Sequence, residues 1–212
     1  MKRNIDYTLY LVTDRKLMST EKLEDAVEQA ILGGCTLVQV REKNCSSIEF
    51  FEIAKSIKDI TDKYNIPLII NDRIDIALAV DAAGVHIGQD DIPTRVARKL
   101  IGKNKILGIS ASNYDEAIKA YKDGADYLGI GAMFATDTKK NVKLTSINEL
   151  GAIIKDIPIP IVVIGGINED TIRNFKNLAI DGFAVVSAVI SKSDIKAAAE
   201  KLKNEIKKVI KK

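Results

Sequence analysis

Tryptophan is absent from the sequence, and aromatic residues make up only 5% of it. So thin a set of rings cannot lay out the stacking platforms that single-stranded nucleic acid needs. Cysteine is scarce too. Cys35 and Cys45 are too few for a disulfide framework, and they point to a reduced, cytosolic setting. No sign of charge dominates: 32 basic residues against 29 acidic leave a net charge of +3. That surplus suits an anionic small molecule and is weak for a nucleic-acid binder, whose basic groups gather on one face. Long apolar runs are also missing. After Lys2 and Arg3 the first apolar stretch, Leu9 to Val12, ends at Thr13-Asp14, too short for a signal-peptide core. No stretch reaches the roughly 20 apolar residues that span a bilayer. The expectation is a cytoplasmic protein acting on small molecules, with no nucleic-acid or membrane partner; a homo-oligomer is left open.

What is present is a steady alternation. The 212 residues, 46% apolar and 29% charged, suffice for one sizeable core. Short Val/Ile-rich runs recur at Thr8–Val12, Thr36–Val40, Pro67–Ile70, Gly84–Ile87, Lys105–Gly108, Tyr127–Ile130, Ile161–Ile164 and Gly182–Val186. They lack strict in/out alternation, as parallel strands covered on both faces do. Between them lie helical stripes: Leu23, Ala26, Val27, Ala30 and Ile31; Phe50, Ile53, Ala54, Ile57 and Tyr64; Ile195, Ala198, Ala199, Leu202, Ile206 and Val209. Gly33-Gly34 offers a stop after the first stripe. Asn113 with Glu116, and Ser146 with Glu149, read as capping boxes. Helices after the third and seventh strands are harder to read, because Arg73–Ala79 and Glu169–Asn177 are short. Eight strands at roughly 26 residues per unit fit a (β/α)8 TIM barrel forming one domain over residues 1–212. The competing open doubly wound sheet lacks its Gly-x-Gly-x-x-Gly turn after the first strand.

In such barrels the active site forms at the C-terminal strand ends, and polar residues gather there. The second strand runs into Gln39-Val40-Arg41-Glu42-Lys43, the third into Asn71-Asp72-Arg73, and the fourth into Gly88-Gln89-Asp90-Asp91. The fifth ends in Gly108-Ile109-Ser110, and the sixth opens the loop Gly129 to Lys139. The seventh ends in Gly165-Gly166 and the eighth in Val186-Ser187. Each has a plainer reading. Arg41 and Lys43 could be solvated charges, Asp72 and Asp91 helix N-caps, His86 a satisfied core histidine, Gly165-Gly166 a tight turn, and Lys201–Lys212 the wet face of the last helix. Convergence on one rim favours chemistry. Asp72 and Asp91 are hard oxygen ligands of the kind Mg²⁺ takes together with phosphate oxygens and water. Arg41, Lys43 and Lys139 can hold a diphosphate. Backbone amides near Gly166 and Ser187 match the phosphate cup that barrels build after strands seven and eight. One metal-assisted diphosphate site and one monophosphate site suggest two phosphorylated substrates being joined.

The chain resembles the thiamine phosphate synthase family over nearly its whole length. The carriers are Tyr10 to Asp14, Gln39 to Lys43, Asn71 to Arg73, Gly84 to Asp91, Gly108 to Ser110, Thr136 to Lys139, Ile164 to Ile167 and Val185 to Ala188. Each alone is weak; eight in order, each at a strand end, are specific. The resemblance implies a transferase of thiamine biosynthesis. It would couple a hydroxymethylpyrimidine diphosphate to a thiazole phosphate, or its carboxylated form, giving thiamine phosphate and diphosphate. It implies that Gln39, Val40, Arg41, Glu42, Lys43, Asn71, Ser110 and Lys139 hold the pyrimidine diphosphate, with Arg41, Lys43, Ser110 and Lys139 catalytic. It implies Asp72 and Asp91 as ligands of an Mg²⁺ cofactor. Thr136, Asp137, Thr138, Gly166, Val186 and Ser187 would hold the thiazole phosphate. The implied mechanism is dissociative, with no covalent nucleophile. Ala132 and Ala135 stand where the family often has proline, leaving the sixth-strand loop more entropy to lose on closing. Two alternatives stay open: a thiazole tautomerase on a related barrel, which needs only the thiazole half, and a non-catalytic sensor that binds both ligands.

Overall fold

Each Val-, Ile- or Leu-rich run forms a strand. The computed structural model describes residues 5–135 and 144–210. The strands are β1 (Leu9–Val12), β2 (Leu37–Val40), β3 (Leu68–Asn71), β4 (Gly84–Ile87), β5 (Ile106–Ala111), β6 (Tyr127–Ile130), β7 (Ile161–Val163) and β8 (Gly182–Val185). They pair in parallel in sequence order, and β8 returns to β1 to close the barrel. The (β/α)8 expectation therefore holds. β5 runs three residues past the Gly108 end expected from sequence. Ile109 and Ala111 stay buried on the helix side and carry the strand on.

The helices are α1 (Leu23–Leu32), α2 (Ser47–Lys63), α3 (Ile74–Ala79), α4 (Thr94–Ile101), α5 (Tyr114–Lys122), α6 (Ile147–Asp156), α7 (Ser187–Ile190) and α8 (Ile195–Val209). Only a 3-10 turn, Ile172–Phe175, lies between β7 and β8. The stretch after β3 does form a helix, and α7 is an extra one-turn helix that the stripe pattern did not announce. The α1 stripe is buried as read. In α2 the buried apolar residues are Phe50, Ala54 and Ile57, with Ile53 and Tyr64 half-covered. In α8 Ala198 sits at the edge of its stripe.

Both expected caps form. Asn113 accepts the Glu116 N–H at 3.0 Å, and Glu116 in turn accepts the Ser112 N–H at 2.7 Å. Ser146 accepts the Glu149 N–H at 3.1 Å. The Glu149 carboxylate, however, accepts the Tyr114 N–H at 2.5 Å, so it caps the neighbouring helix α5 and ties α6 to it.

Two apolar layers result. Leu9 and Leu11 face outward into the larger core between sheet and helices, with Val38, Val40 and Phe175. Tyr10, Val12, Leu37, Ile69, Tyr127 and Val162 face inward and fill the barrel. Burying each large side chain stabilises the fold by roughly 1.5–3 kcal/mol. Strands lined on both faces explain the absence of alternation in the sequence. Among the described residues, no helix is long and apolar enough to cross a membrane.

Candidate active site

The filled barrel interior leaves a cavity of about 820 Å³ at its C-terminal end. The strand exits deliver most of the candidate residues to it. Gln39, Arg41 and Lys43 reach it from β2, Asn71 and Asp72 from β3, and Asp91 from the loop after β4. Ser110 reaches it from β5, and Gly166, Val186 and Ser187 from beyond β7 and β8. Thr136, Asp137, Thr138 and Lys139 lie outside the described residues. Val40 and Glu42 do not line the cavity. Val40 points into the helix layer. Glu42 turns to Arg15, whose Nε donates to Glu42 Oε2 at 2.8 Å. Burial pushes the Glu42 carboxyl up, against the pull of Arg15, and Glu42 Oε1 is buried with no hydrogen-bond partner among the described residues. A ligand contact at these two positions would have to come from the backbone.

The two aspartates are aimed by their local backbone. Arg73 N–H donates to the Asn71 carbonyl at 2.7 Å while Asp72 holds φ at 60°. That is a tight γ-turn centred on Asp72, a rare and strained conformation, at the very end of β3. Asp72 N–H donates to the His86 carbonyl at 2.8 Å and pins the turn to β4. Lys43 Nζ donates to Asp72 Oδ2 at 2.5 Å. Asp91 Oδ2 accepts the Gly88 N–H at 2.7 Å. Burial pushes the Asp91 carboxyl up and the neighbouring Asp72 charge adds to it, while the Gly88 N–H opposes. Neither aspartate caps a helix. Arg73 and Pro93 hold the N-cap positions of α3 and α4, so the capping reading is set aside.

Two repelling carboxylates at a cavity mouth fit a small hard dication that completes its shell with phosphate oxygens and water. Among the described residues no cluster of three or more His, Cys, Asp or Glu gathers in ligating reach, and Mg²⁺ needs none. Arg41 Nη1 lies 3.7 Å from Asp14 Oδ2, and the Arg41 backbone N–H donates to Thr13 Oγ1 at 3.0 Å. The exits of β1 and β2 are thereby fastened together. On the opposite wall, Gly165 and Gly166 have φ of 96° and 64°, which favour glycine. A Cβ on Gly166 would also stand 2.7 Å from Phe134 Cβ, so this turn packs directly on the loop after β6.

Five residues that shape the site carried no role in the sequence reading. Asp14 holds Arg41, Arg15 holds Glu42, and Gln89 Nε2 donates to the Ser110 carbonyl at 2.6 Å. Tyr10 and Tyr127 line the cavity floor. Tyr10 and Asp14 belong to the first motif quoted above, so position within that motif was the available signal. Tyr127 gave none, because a strand tyrosine reads as core.

His86 is buried, and both ring nitrogens are engaged: Nδ1 with Tyr127 Oη at 2.8 Å and Nε2 with Ser110 Oγ at 2.9 Å. The core-histidine reading describes it, although the ring also faces the cavity floor. Burial lowers its pKa to about 4, and the Asp72 charge counters only in part. The unfolded chain, with an ordinary imidazole, takes up this proton first as pH falls. His86 therefore stabilises fully above about pH 6.5, and its contribution drains away toward pH 4. As the chain's single histidine, it gives one unambiguous NMR probe. The expected result is no imidazole titration between about pH 5.5 and 8; a midpoint near 6.5 would contradict the burial argument.

Residues 9–189 match the family model of thiamine monophosphate synthase. A thiamine-phosphate synthase of Clostridium beijerinckii is 63% identical over 209 residues, covering 99% of this chain and 100% of that protein. Its counterpart in Clostridium acetobutylicum is 49% identical over 206 residues, covering 97% and 98%. The solved structure of a thiamine phosphate pyrophosphorylase from Pyrococcus furiosus superposes with a TM-score of 0.89 at 39% identity, covering 97% of this chain and 98% of that one.

Proposed function

The chain belongs to the thiamine monophosphate synthase family and is a transferase that forms thiamine phosphate; from that premise we propose how its cavity carries out the coupling. The observation that carries the reading is the pairing of Asp72 and Asp91, with Lys43 on Asp72, in the same cavity as Gly166, Val186 and Ser187. The first group suits a diphosphate and its metal, the second a monophosphate.

Asp72 and Asp91 would hold Mg²⁺. Bound there, the ion supplies positive charge to the departing diphosphate. Arg41 and Lys43 add cations for the same developing charge and Ser110 a hydroxyl, and the family resemblance assigns Lys139 the same role. Gln39 and Asn71, with backbone contacts from Val40 and Glu42, orient the pyrimidine diphosphate. Gly166, Val186 and Ser187 would hold the thiazole phosphate, and the family resemblance adds Thr136, Asp137 and Thr138 to that role. The carbon–oxygen bond to diphosphate breaks first, and its electron pair leaves with the diphosphate. The methylene cation left behind is delocalised into the pyrimidine. The lone pair of the thiazole nitrogen then forms the new carbon–nitrogen bond. Holding both partners in one cavity makes that capture effectively intramolecular. A cytoplasmic location, without nucleic-acid or membrane partners, belongs to the same reading.

The tautomerase alternative needs only the thiazole half, and the retained aspartate pair, Arg41 and Lys43 favour coupling. The sensor alternative is separated by one assay. Incubation with both substrates and Mg²⁺ should release thiamine phosphate and diphosphate in equal amounts. Excess chelator should stop the reaction and added Mg²⁺ restore it. Binding of both ligands without product would support the sensor, and full turnover in chelator would remove the metal from the mechanism.

A further inference from the structure

Along the cavity floor a single hydrogen-bond chain crosses the barrel interior. Gln39 Nε2 donates to Tyr10 Oη at 2.6 Å. Tyr10 Oη lies 2.9 Å from Tyr127 Oη, Tyr127 Oη lies 2.8 Å from His86 Nδ1, and His86 Nε2 lies 2.9 Å from Ser110 Oγ. Five side chains from β1, β2, β4, β5 and β6 are thereby linked. The barrel is built to admit them. In the sheet register His86 neighbours Gly108, and Gly108 neighbours Tyr127. A Cβ on Gly108 would stand 2.2 Å from Tyr127 Cζ, and one on Gly129 would stand 3.0 Å from His86 Cε1. Two strand glycines, which weaken a sheet elsewhere, open the gap through which histidine and tyrosine meet.

The chain has a direction. Buried hydroxyls must donate as well as accept. Tyr10 already accepts from Gln39, so its proton goes to Tyr127. Tyr127 then gives its proton to His86 Nδ1. A neutral His86 that accepts at Nδ1 carries its hydrogen on Nε2 and donates it to Ser110 Oγ. The Ser110 proton is left to point into the cavity.

We propose that Tyr10, Tyr127 and His86 are positioning residues: they hold His86 as its Nε2–H tautomer and thereby make Ser110 a donor to the diphosphate. This rests on the coupling function above, in which Ser110 meets the pyrimidine diphosphate. The logic is one of matching sign. An anion needs donors, and a reversed chain would turn a Ser110 lone pair toward it. Gln39 is set by the same direction. With its nitrogen committed to Tyr10, it has its carbonyl oxygen left to accept.

The test begins with the full-length protein carrying ¹⁵N-labelled histidine. The single imidazole should show an unprotonated Nδ1 and a protonated Nε2. Tyr127→Phe removes the hydroxyl that fixes this state, so the Nδ1–H form should become populated. The same change should raise KM for the pyrimidine diphosphate by about tenfold, the worth of one hydrogen bond to a charged group. KM for the thiazole phosphate should stay within about twofold, well under one hydrogen bond's worth. Ser110→Ala and the double variant should share one raised KM, because the relay acts only through the Ser110 hydroxyl. A mere packing role would instead give additive losses on both substrates. An Nδ1–H tautomer in the parent protein overturns the proposal, as does an unchanged pyrimidine KM in Tyr127→Phe. Should that variant fail to fold, the tautomer of the parent protein decides. Absence of thiamine phosphate from the parent enzyme would overturn the coupling reading instead, and the tautomer would still report on the chain's direction.

Discussion

Asp91→Ala is expected to slow thiamine phosphate formation by at least about a hundredfold, in the range seen when one preorganised electrostatic contact is removed from a developing anion. Asp91 is fixed by the Gly88 N–H and faces the same mouth as Asp72. Its loss leaves one carboxylate, already paired with Lys43, to hold a dication. Thiazole phosphate should still bind, because Gly166 and Ser187 belong to the opposite wall. Calorimetric titration of the variant with thiazole phosphate, beside steady-state rates, checks both halves. Asp91→Asn keeps an oxygen for the Gly88 N–H and removes only the charge, so it should be nearly as slow. Turnover at the parental rate in either variant would detach Asp91 from the chemistry.

Gly182→Ala should lower the melting temperature by about 10 °C. A Cβ at this position would stand 1.7 Å from the Tyr7 carbonyl oxygen and 2.4 Å from the Tyr7 carbonyl carbon. Both are backbone atoms at the seam where β8 meets β1, so no flexible side-chain tip can give way. The strand itself must move, and the seam closes the barrel. Ordinary overpacking costs about 1–3 kcal/mol. A clash with backbone belongs at or above the top of that range, and each kcal/mol is worth about 2–4 °C in a chain of this size. Gly151→Ala serves as control. It lies in α6 with no described residue within 4 Å of its added Cβ, and it should hold or raise stability by up to about 1 kcal/mol. Thermal melts of both variants suffice. Equal melting of Gly182→Ala and the parent would mean that the seam is loose.

Much of this was readable in the chain. Apolar runs on an even spacing gave eight strands, because a strand buried on both faces must be apolar throughout. Stripes of period 3.6 gave α1, α2 and α8, because a helix must turn one face to the sheet. The candidate site was readable for a related reason. A barrel carries every strand exit to one rim, so polar residues just after strands fall together without further information. Where the local code was ambiguous, the reading fell short. The fifth strand, read as Lys105–Gly108, runs to Ala111, and Glu149 looks like the second half of a box but caps the neighbouring helix.

The sequence by itself determined the eight strands, the barrel and the rim where polar residues gather, since these follow from periodicity and position along the chain. Only the tertiary structure decided what those residues do to one another. It turned Glu42 toward Arg15, strained Asp72 into its γ-turn and threaded one hydrogen-bond chain from Gln39 to Ser110. Such contacts join strands up to 117 residues apart in the chain, and hydrogen bonding depends on ångström separations that no linear spacing encodes.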